Sequence, residues 1–344
     1  AIHEGLELCM EKDSSVYIMG LGVPDPKGIF GTTLGLQKKF GSHRVMDMPA
    51  SENGMTGVAI GSALVGMRPV LVHQRLDFAL LAIEQMVNQA AKWHYMFAGQ
   101  ICVPLVIRMI VGRGWGQGPQ HSQSLHSWFT HIPGLKVVMP ATPYDAKGLL
   151  ISSIEDNNPV IFMEHRWLHH TFGSVPPEFY RVPLGKARIA KQGKDVTIVA
   201  ISHMVVESLR ASQILSEMDI DAEVIDVRTL RPLDVKTVLE SVSKTGFLLV
   251  ADPDWKECGF SSEVIALVAE QALSFLKAPP QRVTLSDCPI PAAQALSVLC
   301  YPRPVHIAQA VGEMLGIKKT LTEPSNLPNS VPYDIPDASF SGPF

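Results

Sequence analysis

Two open, mainly parallel α/β sheets are the architecture to expect from this chain. Its 344 residues exceed the usual span of one domain. Short apolar runs alternate with helical patterns, the arrangement that builds a parallel sheet covered by helices on both faces. That alternation stops within residues 166–194 and then resumes, so two such units follow one another.

The chain opens on AIHEGLELCMEK, where Ile2, Leu6, Leu8 and Cys9 mark a helix already under way, so upstream residues or a processed leader are expected. Strands are expected at VYIMGLG (16–22), RVMDMP (44–49), PVLVHQ (69–74), PLVIRMI (104–110), LKVVMPA (135–141) and PVIFMEH (159–165). The spacers hold helices. LLAIEQMVNQAAKWHYM (80–96) is one, and TPYDAKGLLISSIED (142–156), capped by Thr142 ahead of Pro143, is another. The first domain thus runs over 1–180, and a linker over 181–194 contains part of the Pro-bearing stretch SVPPEFYRVPLG. A second domain over 195–321 repeats the alternation with DVTIVAIS (195–202), DAEVIDVRTL (221–230), GFLLVAD (246–252) and QRVTLSD (281–287). Residues 322–344 form a Pro-rich tail without periodicity.

Composition narrows the function. Hydrophobic residues make up 46% and charged residues 18%, fewer charges than a monomer of this size uses to cover its surface. Subunit contacts are therefore expected. A formal charge of -4 gives no footprint for nucleic acid or an anionic membrane. No apolar run reaches the ~18 residues of a membrane span, and the N-terminal stretch lacks a signal-peptide plan. A cytoplasmic location is expected, with a mature mitochondrial matrix location as the alternative. The five cysteines, at 9, 102, 258, 288 and 300, show no CxxC or Cys/His cluster, which points to a reducing compartment and no structural zinc.

Two stretches carry chemistry. MPASENGMTGVAIGSALVG (48–66) sets Glu52 at the head of an apolar helix. A first-turn acid that complements the helix dipole is the ordinary reading. Against it, a capping box would place the acid three residues after Ser51, where Gly54 stands. Gly57 and Gly61 share a helix face that lets another backbone approach, and an acid at the rim of such a contact loses water, as a proton relay requires. IVGRGWGQGPQHSQS (110–124) has glycines at 112, 114, 116 and 118 and fails as a dinucleotide loop, for want of the right spacing and a following acid. It leaves a predicted parallel strand and delivers His121, a candidate acid, base or hydrogen-bond donor. HQRLDF (73–78) offers His73, Gln74 and Arg75 to a pocket or to solvent, and Phe78 to a core or a stacking platform. EHRWLHH (164–170) has no metal-ligand spacing and is expected to pack in an interface or linker.

With DMPASENGMTGVAIGSALVGMRPV, AIEQMVNQAAKWHYM, GPQHSQSLHSWFTHIPGLKVVMPATPYDAKGLL, EDNNPVIFMEH, LRPLDVKTVLESVSKTGFLLVAD and DCPIP in view, the chain resembles the beta subunit of the thiamine-diphosphate-dependent E1 component of 2-oxoacid dehydrogenases, pyruvate dehydrogenase E1 beta among them, in the transketolase superfamily. The likeness runs from near residue 1 to about 318. It implies a transketolase pyrimidine-binding domain followed by a transketolase C-terminal domain that serves mainly in assembly. It further implies that Glu52 bonds N1′ of the cofactor's aminopyrimidine, that Phe78 packs on that ring with Gln74 nearby, and that His121 faces the substrate end. Backbone carbonyls around Ile154, Asp156 and Asn158 match a structural monovalent cation site, usually potassium.

The family's diphosphate and Mg2+ motif, GDG with NN some way beyond, is missing from this chain. The resemblance therefore implies a separate alpha subunit that holds Mg2+ and phosphates in an alpha2beta2 heterotetramer, with a lipoyl-bearing E2 core as further partner. Decarboxylation of a 2-oxoacid and transfer of the acyl fragment to lipoamide is the expected reaction. Gln74, where relatives commonly show methionine, and the bulky GRGWGQG loop depart from the pattern. They favour a rival: a split transketolase or carboligase taking a polar donor, such as a ketose, with an aldehyde acceptor. A catalytically silent assembly subunit is the alternative from another class.

Overall fold

The computed structural model describes residues 1–114 and 116–317. In chain order its elements are α1 (Ile2–Lys12), β1 (Val16–Gly20), α2 (Leu36–Phe40), β2 (Val45–Met46), α3 (Glu52–Leu64), β3 (Arg68–His73), α4 (Leu76–Ala79), α5 (Trp93–Met96), β4 (Val106–Val111), α6 (His126–Thr130), β5 (Lys136–Val138), α7 (Pro143–Glu155) and β6 (Val160–His165). There follow β7 (Arg188–Lys191), β8 (Val196–Ala200), α8 (His203–Ser216), β9 (Ala222–Asp226), β10 (Thr229–Arg231), α9 (Val235–Thr245), β11 (Leu248–Trp255), α10 (Phe260–Ala272), β12 (Gln281–Leu285), α11 (Gln294–Ser297) and α12 (Pro304–Met314). The chain divides into a first unit of 1–111, 128–184 and 230–232, and a second of 112–127, 185–229 and 233 onward.

Among the described residues the first unit's sheet has the order β10-β5-β6-β4-β3-β1-β2. Its neighbours β1 and β3, β3 and β4, and β4 and β6 run parallel, in a register that sets Ile18 beside Val70, Leu71 beside Ile107 and Ile107 beside Ile161. β1, β4 and β6 are buried from end to end, which is why they read as continuous apolar runs rather than alternating ones. Leu6 and Met10 of α1 pack with Leu149 and Leu150 of α7 over Ile18 and Phe162. Thr142 caps α7 as expected, its side-chain oxygen accepting from the Asp145 amide at 3.0 Å.

The second unit holds a sheet of order β12-β11-β8-β9-β7. β8, β9, β11 and β12 are parallel, and β7 adds to β9 antiparallel. The mainly parallel two-sheet fold therefore stands, with local corrections. The stretch expected to be linker carries the edge strand β7. The single strand expected over 221–230 is split, because Arg228 turns the chain with a φ of 59°, and its second half, β10, joins the first sheet. The helix expected over 80–96 is a 3-10 turn (Leu80–Ala82), a π-helix (Gln85–Ala90) and the separate α5. The wider π turn aligns Met86 and Ala90, which are both buried. Nearby, Gly134 has a φ of +99°, and a Cβ there would stand 1.9 Å from the Ala91 carbonyl oxygen, so only glycine fits.

Candidate functional site

Glu52 is the first residue of α3, and Ser51 before it makes no side-chain capping bond. Its carboxylate is half-buried and has no hydrogen bond or ion pair among the described residues. The glycine face does not behave as expected. A Cβ at Gly57 would meet only the Gln85 side chain at 3.3 Å, and one at Gly61 would meet nothing within 4 Å. Among the described residues no other backbone packs there, and Val58 and Val65 beside it are 55% and 80% exposed.

Past the end of β3, Gln74 donates from Nε2 to the Leu21 carbonyl at 3.0 Å. His73 is buried, and loss of water lowers its ring to about 4, so it is neutral at physiological pH. Its Nε2 has no hydrogen-bond partner among the described residues. Phe78, in α4, is half-buried.

At the end of α7, Arg68 Nη1 donates to the carbonyls of Ile154 and Asp156, at 3.0 Å each, and Nη2 to Asn157 Oδ1 at 2.6 Å. Asn158 donates from both its backbone amide and its side chain to Asp156 Oδ1 at 2.8 Å, while Lys136 pairs with the other carboxylate oxygen. The two carbonyls are thus aimed at one point that already holds a guanidinium. Each keeps a second lone pair, so a monovalent cation fits only alongside Arg68.

Sequence reasoning missed a buried cluster in this unit. Arg108 Nε donates to Glu164 Oε1 at 2.7 Å, Arg108 Nη2 to Thr32 Oγ1 at 3.1 Å, and His169 Nε2 lies 3.2 Å from Glu164 Oε2. Burial alone would push the Glu164 carboxyl up, but the Arg108 charge and bonds from His169 and Arg108 hold it at about 2. EHRWLHH is therefore not simple packing. The available signal was a charge inside each of the apolar strands VIRMIV and VIFMEH, since a charge there requires a partner. Thr32, Glu164, His165 and His169 line a cavity of about 580 Å3, together with Phe30 and Phe172. Glu52, Gln74, Phe78 and His121 are not among its lining residues.

His121 belongs to the second unit, on a 3-10 turn of Pro119–His121. Its Nδ1 lies 2.6 Å from the Gln120 carbonyl, which places the proton on that nitrogen and makes Nε2 the basic one in a neutral ring. Arg113 donates from Nε to the Gln117 carbonyl at 2.9 Å and from Nη2 to the Ala292 carbonyl at 2.8 Å. At the end of the segment His126 Nε2 lies 2.9 Å from Asp252 Oδ1, and Ser127 Oγ donates to Asp254 Oδ2 at 2.7 Å.

Comparison with known proteins agrees with this fold. Residues 1–170 match the transketolase pyrimidine-binding domain and residues 185–307 the transketolase C-terminal domain. The chain is 45% identical over 320 residues to the acetoin:2,6-dichlorophenolindophenol oxidoreductase subunit beta of Cupriavidus necator, covering 90% of this chain and 94% of that protein. It is 40% identical over 322 residues to the mitochondrial pyruvate dehydrogenase E1 component subunit beta of Bos taurus, covering 92% and 90%. Among solved structures, a split-gene transketolase described as an inactive beta4 tetramer superposes with a TM-score of 0.76 at 22% identity, covering 92% of this chain and 97% of that one, a likeness of fold. No described helix is long and apolar enough to cross a membrane. The chain therefore belongs to the transketolase-like family of E1 beta subunits, a pyrimidine-binding domain followed by a transketolase C-terminal domain.

Proposed function

We propose that this chain is the beta subunit of a thiamine-diphosphate-dependent E1-type enzyme that decarboxylates a 2-oxoacid and passes the acyl fragment to lipoamide. The observation that carries the reading is Glu52: a carboxylate at the mouth of an apolar helix, without a partner among the described residues. It fits N1′ of an aminopyrimidine, with one proton shared between the carboxylate and the ring nitrogen. When bound, thiamine diphosphate supplies the carbanion chemistry. This chain contributes Glu52 to hold the proton at N1′, Phe78 to pack on the ring, Gln74 beside it and His121 toward the substrate. Mg2+ and the phosphates fall to an alpha subunit in an alpha2beta2 heterotetramer, and a lipoyl-bearing E2 core receives the product. The exposed apolar side chains Val65, Leu81, Tyr95 and Phe172, 68–88% accessible, support burial by partners. Potassium shares the Ile154 and Asp156 carbonyls with Arg68, close to Asn158.

A second reading replaces the 2-oxoacid by acetoin as donor. The 45% identity to a beta subunit named for acetoin favours it, and both donors can leave the same two-carbon fragment. Co-expression with a candidate alpha subunit tests both. Native mass spectrometry should find thiamine diphosphate on the mixed complex and not on this chain alone, and dichlorophenolindophenol reduction should proceed with pyruvate or a longer 2-oxoacid. Turnover with acetoin alone transfers the assignment to the second reading. Turnover with ketose phosphates alone, or cofactor held tightly by the lone chain, overturns both.

A further inference from the structure

We propose that the second unit positions His121 through His126. The imidazole, clamped by the Asp252 and Asp254 carboxylates, fixes the conformation of segment 112–127 and thereby the placement of His121. The proposal rests on the reading that His121 serves the substrate. It gives the C-terminal domain a part in the chemistry as well as in assembly, with His126 as a positioning residue that touches no substrate.

Among the described residues, segment 112–127 buries mostly polar side chains. Apart from Leu125, its buried side chains among the described residues are Arg113, Ser122, Ser124 and His126. Leu125 is the one large hydrophobe buried among those described residues, and its burial contributes modestly. Hydrogen bonds run along it as a chain. Gly114 donates its amide to Gln117 Oε1 at 2.8 Å, the His121 amide donates to the Gly118 carbonyl at 3.1 Å, and Ser122 Oγ donates to the same carbonyl at 2.9 Å. Arg113 ties one end to Ala292. The other end is held by His126, five residues past His121, with Ser127 beside it.

That second anchor is itself built rigidly. Asp252 Oδ2 accepts from the Ser261 amide at 2.8 Å at the head of α10, and Asp252 Oδ1 accepts from the Asp254 amide at 3.2 Å. Asp254 Oδ1 accepts from the Trp255 amide at 2.8 Å, and its Oδ2 lies 3.9 Å from His126 Nε2. His126 and Asp252 are wholly buried, so this pair bears a large desolvation cost that packing alone would not require. Besides the two aspartates, His203 faces the ring; burial, with the Arg303 and His126 charges adding, lowers His203 to about 3, so it stays neutral. Arg303 is itself paired with Glu207 at 3.2 Å. The positive charge of the clamp is therefore the imidazolium's own. Burial opposes that charge, yet the two aspartates outweigh burial and raise His126 above its ordinary value.

Hydrogen–deuterium exchange on the reconstituted alpha–beta complex, read with turnover, tests the clamp. His126→Ala should raise exchange across 112–127 about tenfold and lower kcat/KM by a similar factor, with peptides around Glu52 unchanged. His126→Gln, which keeps a donor but not the charge, should recover part of both. In a His121→Ala background, His126→Ala should cost less than about twofold, because it acts through the imidazole already removed. Wild-type exchange in the segment, corrected for intrinsic rate, should rise with pH above the ordinary histidine range, a readout that needs no variant to fold. Unchanged exchange in both the His126→Gln complex and the wild-type pH series overturns the clamp and leaves the His121 reading intact. Raised exchange with unchanged turnover overturns positioning and the His121 reading together. Additive losses in the double variant overturn the route through His121.

Discussion

Each unit sets a histidine against a buried carboxylate, and the two clusters differ in what supplies the positive charge. In the first unit Arg108 and His169 face Glu164. Arginine does not titrate in any working range, so the Arg108–Glu164 pair keeps its charges at every physiological pH. In the second unit the cation paired with Asp252 and Asp254 is His126, whose charge comes and goes with one proton. A permanent cation suits a scaffold that never changes, whereas a titratable one makes the hold on segment 112–127 depend on conditions.

The difference is broken most severely at Arg108. Arg108→Ala leaves Glu164 buried without its charged partner, and loss of one member of a buried pair costs about 3–5 kcal/mol. Urea unfolding at neutral pH should show that loss for Arg108→Ala. A cost under about 1 kcal/mol would mean that the pair does not hold the sheet. Glu52→Gln provides the contrast within the same unit. Its carboxylate has no partner among the described residues, so stability should not move, while turnover of the reconstituted complex should fall about a hundredfold or more. Unchanged turnover would support the silent assembly subunit.

The pH series then sharpens the comparison, because the two clusters have opposite signs. Glu164 lies at about 2, below its ordinary 4.5. Its contribution is complete above about 4.5 and is lost as pH falls toward 2. His126 is raised above 6.5. Its contribution is complete below that value and is lost as pH rises through the raised one. Glu164→Gln should flatten the acid limb of stability against pH and His126→Gln the alkaline limb, each leaving the other in place. If one substitution flattened both limbs, the clusters would not be independent.

Much of this was legible in the sequence, and the exceptions share a cause. Strands such as VYIMG and VIFMEH are buried on both faces, so their apolar runs declare themselves, and Glu52 stood out because an acid is conspicuous at the head of an apolar helix. The His126–Asp252 pair spans 126 residues, and nothing local in LHSW or VADPD marks either as the other's partner. The π-helix at Gln85–Ala90 hides for a different reason: apolar spacing that suits 3.6 residues per turn also suits a slightly wider turn. The move of β10 into the first sheet is a tertiary choice. Its sequence, TLR, would pair equally well with either sheet.

The smallest effect concerns the carbonyls of Ile154 and Asp156, where the first unit repeats its preference for a permanent cation. Arg68 makes three hydrogen bonds there and is only partly exposed. Bonds to a charged group contribute about 1.5–3 kcal/mol each when buried, and partial exposure reduces that, so Arg68→Ala should cost about 1–2 kcal/mol in total. Potassium on the remaining lone pairs meets the repulsion of the guanidinium beside it. Exchange of potassium for tetramethylammonium should therefore lower the Tm by less than Arg68→Ala does, and in the Arg68→Ala variant the potassium dependence should grow as the repulsion is removed. A potassium effect larger than that of Arg68→Ala would make the ion, and not the arginine, the principal charge at the end of α7.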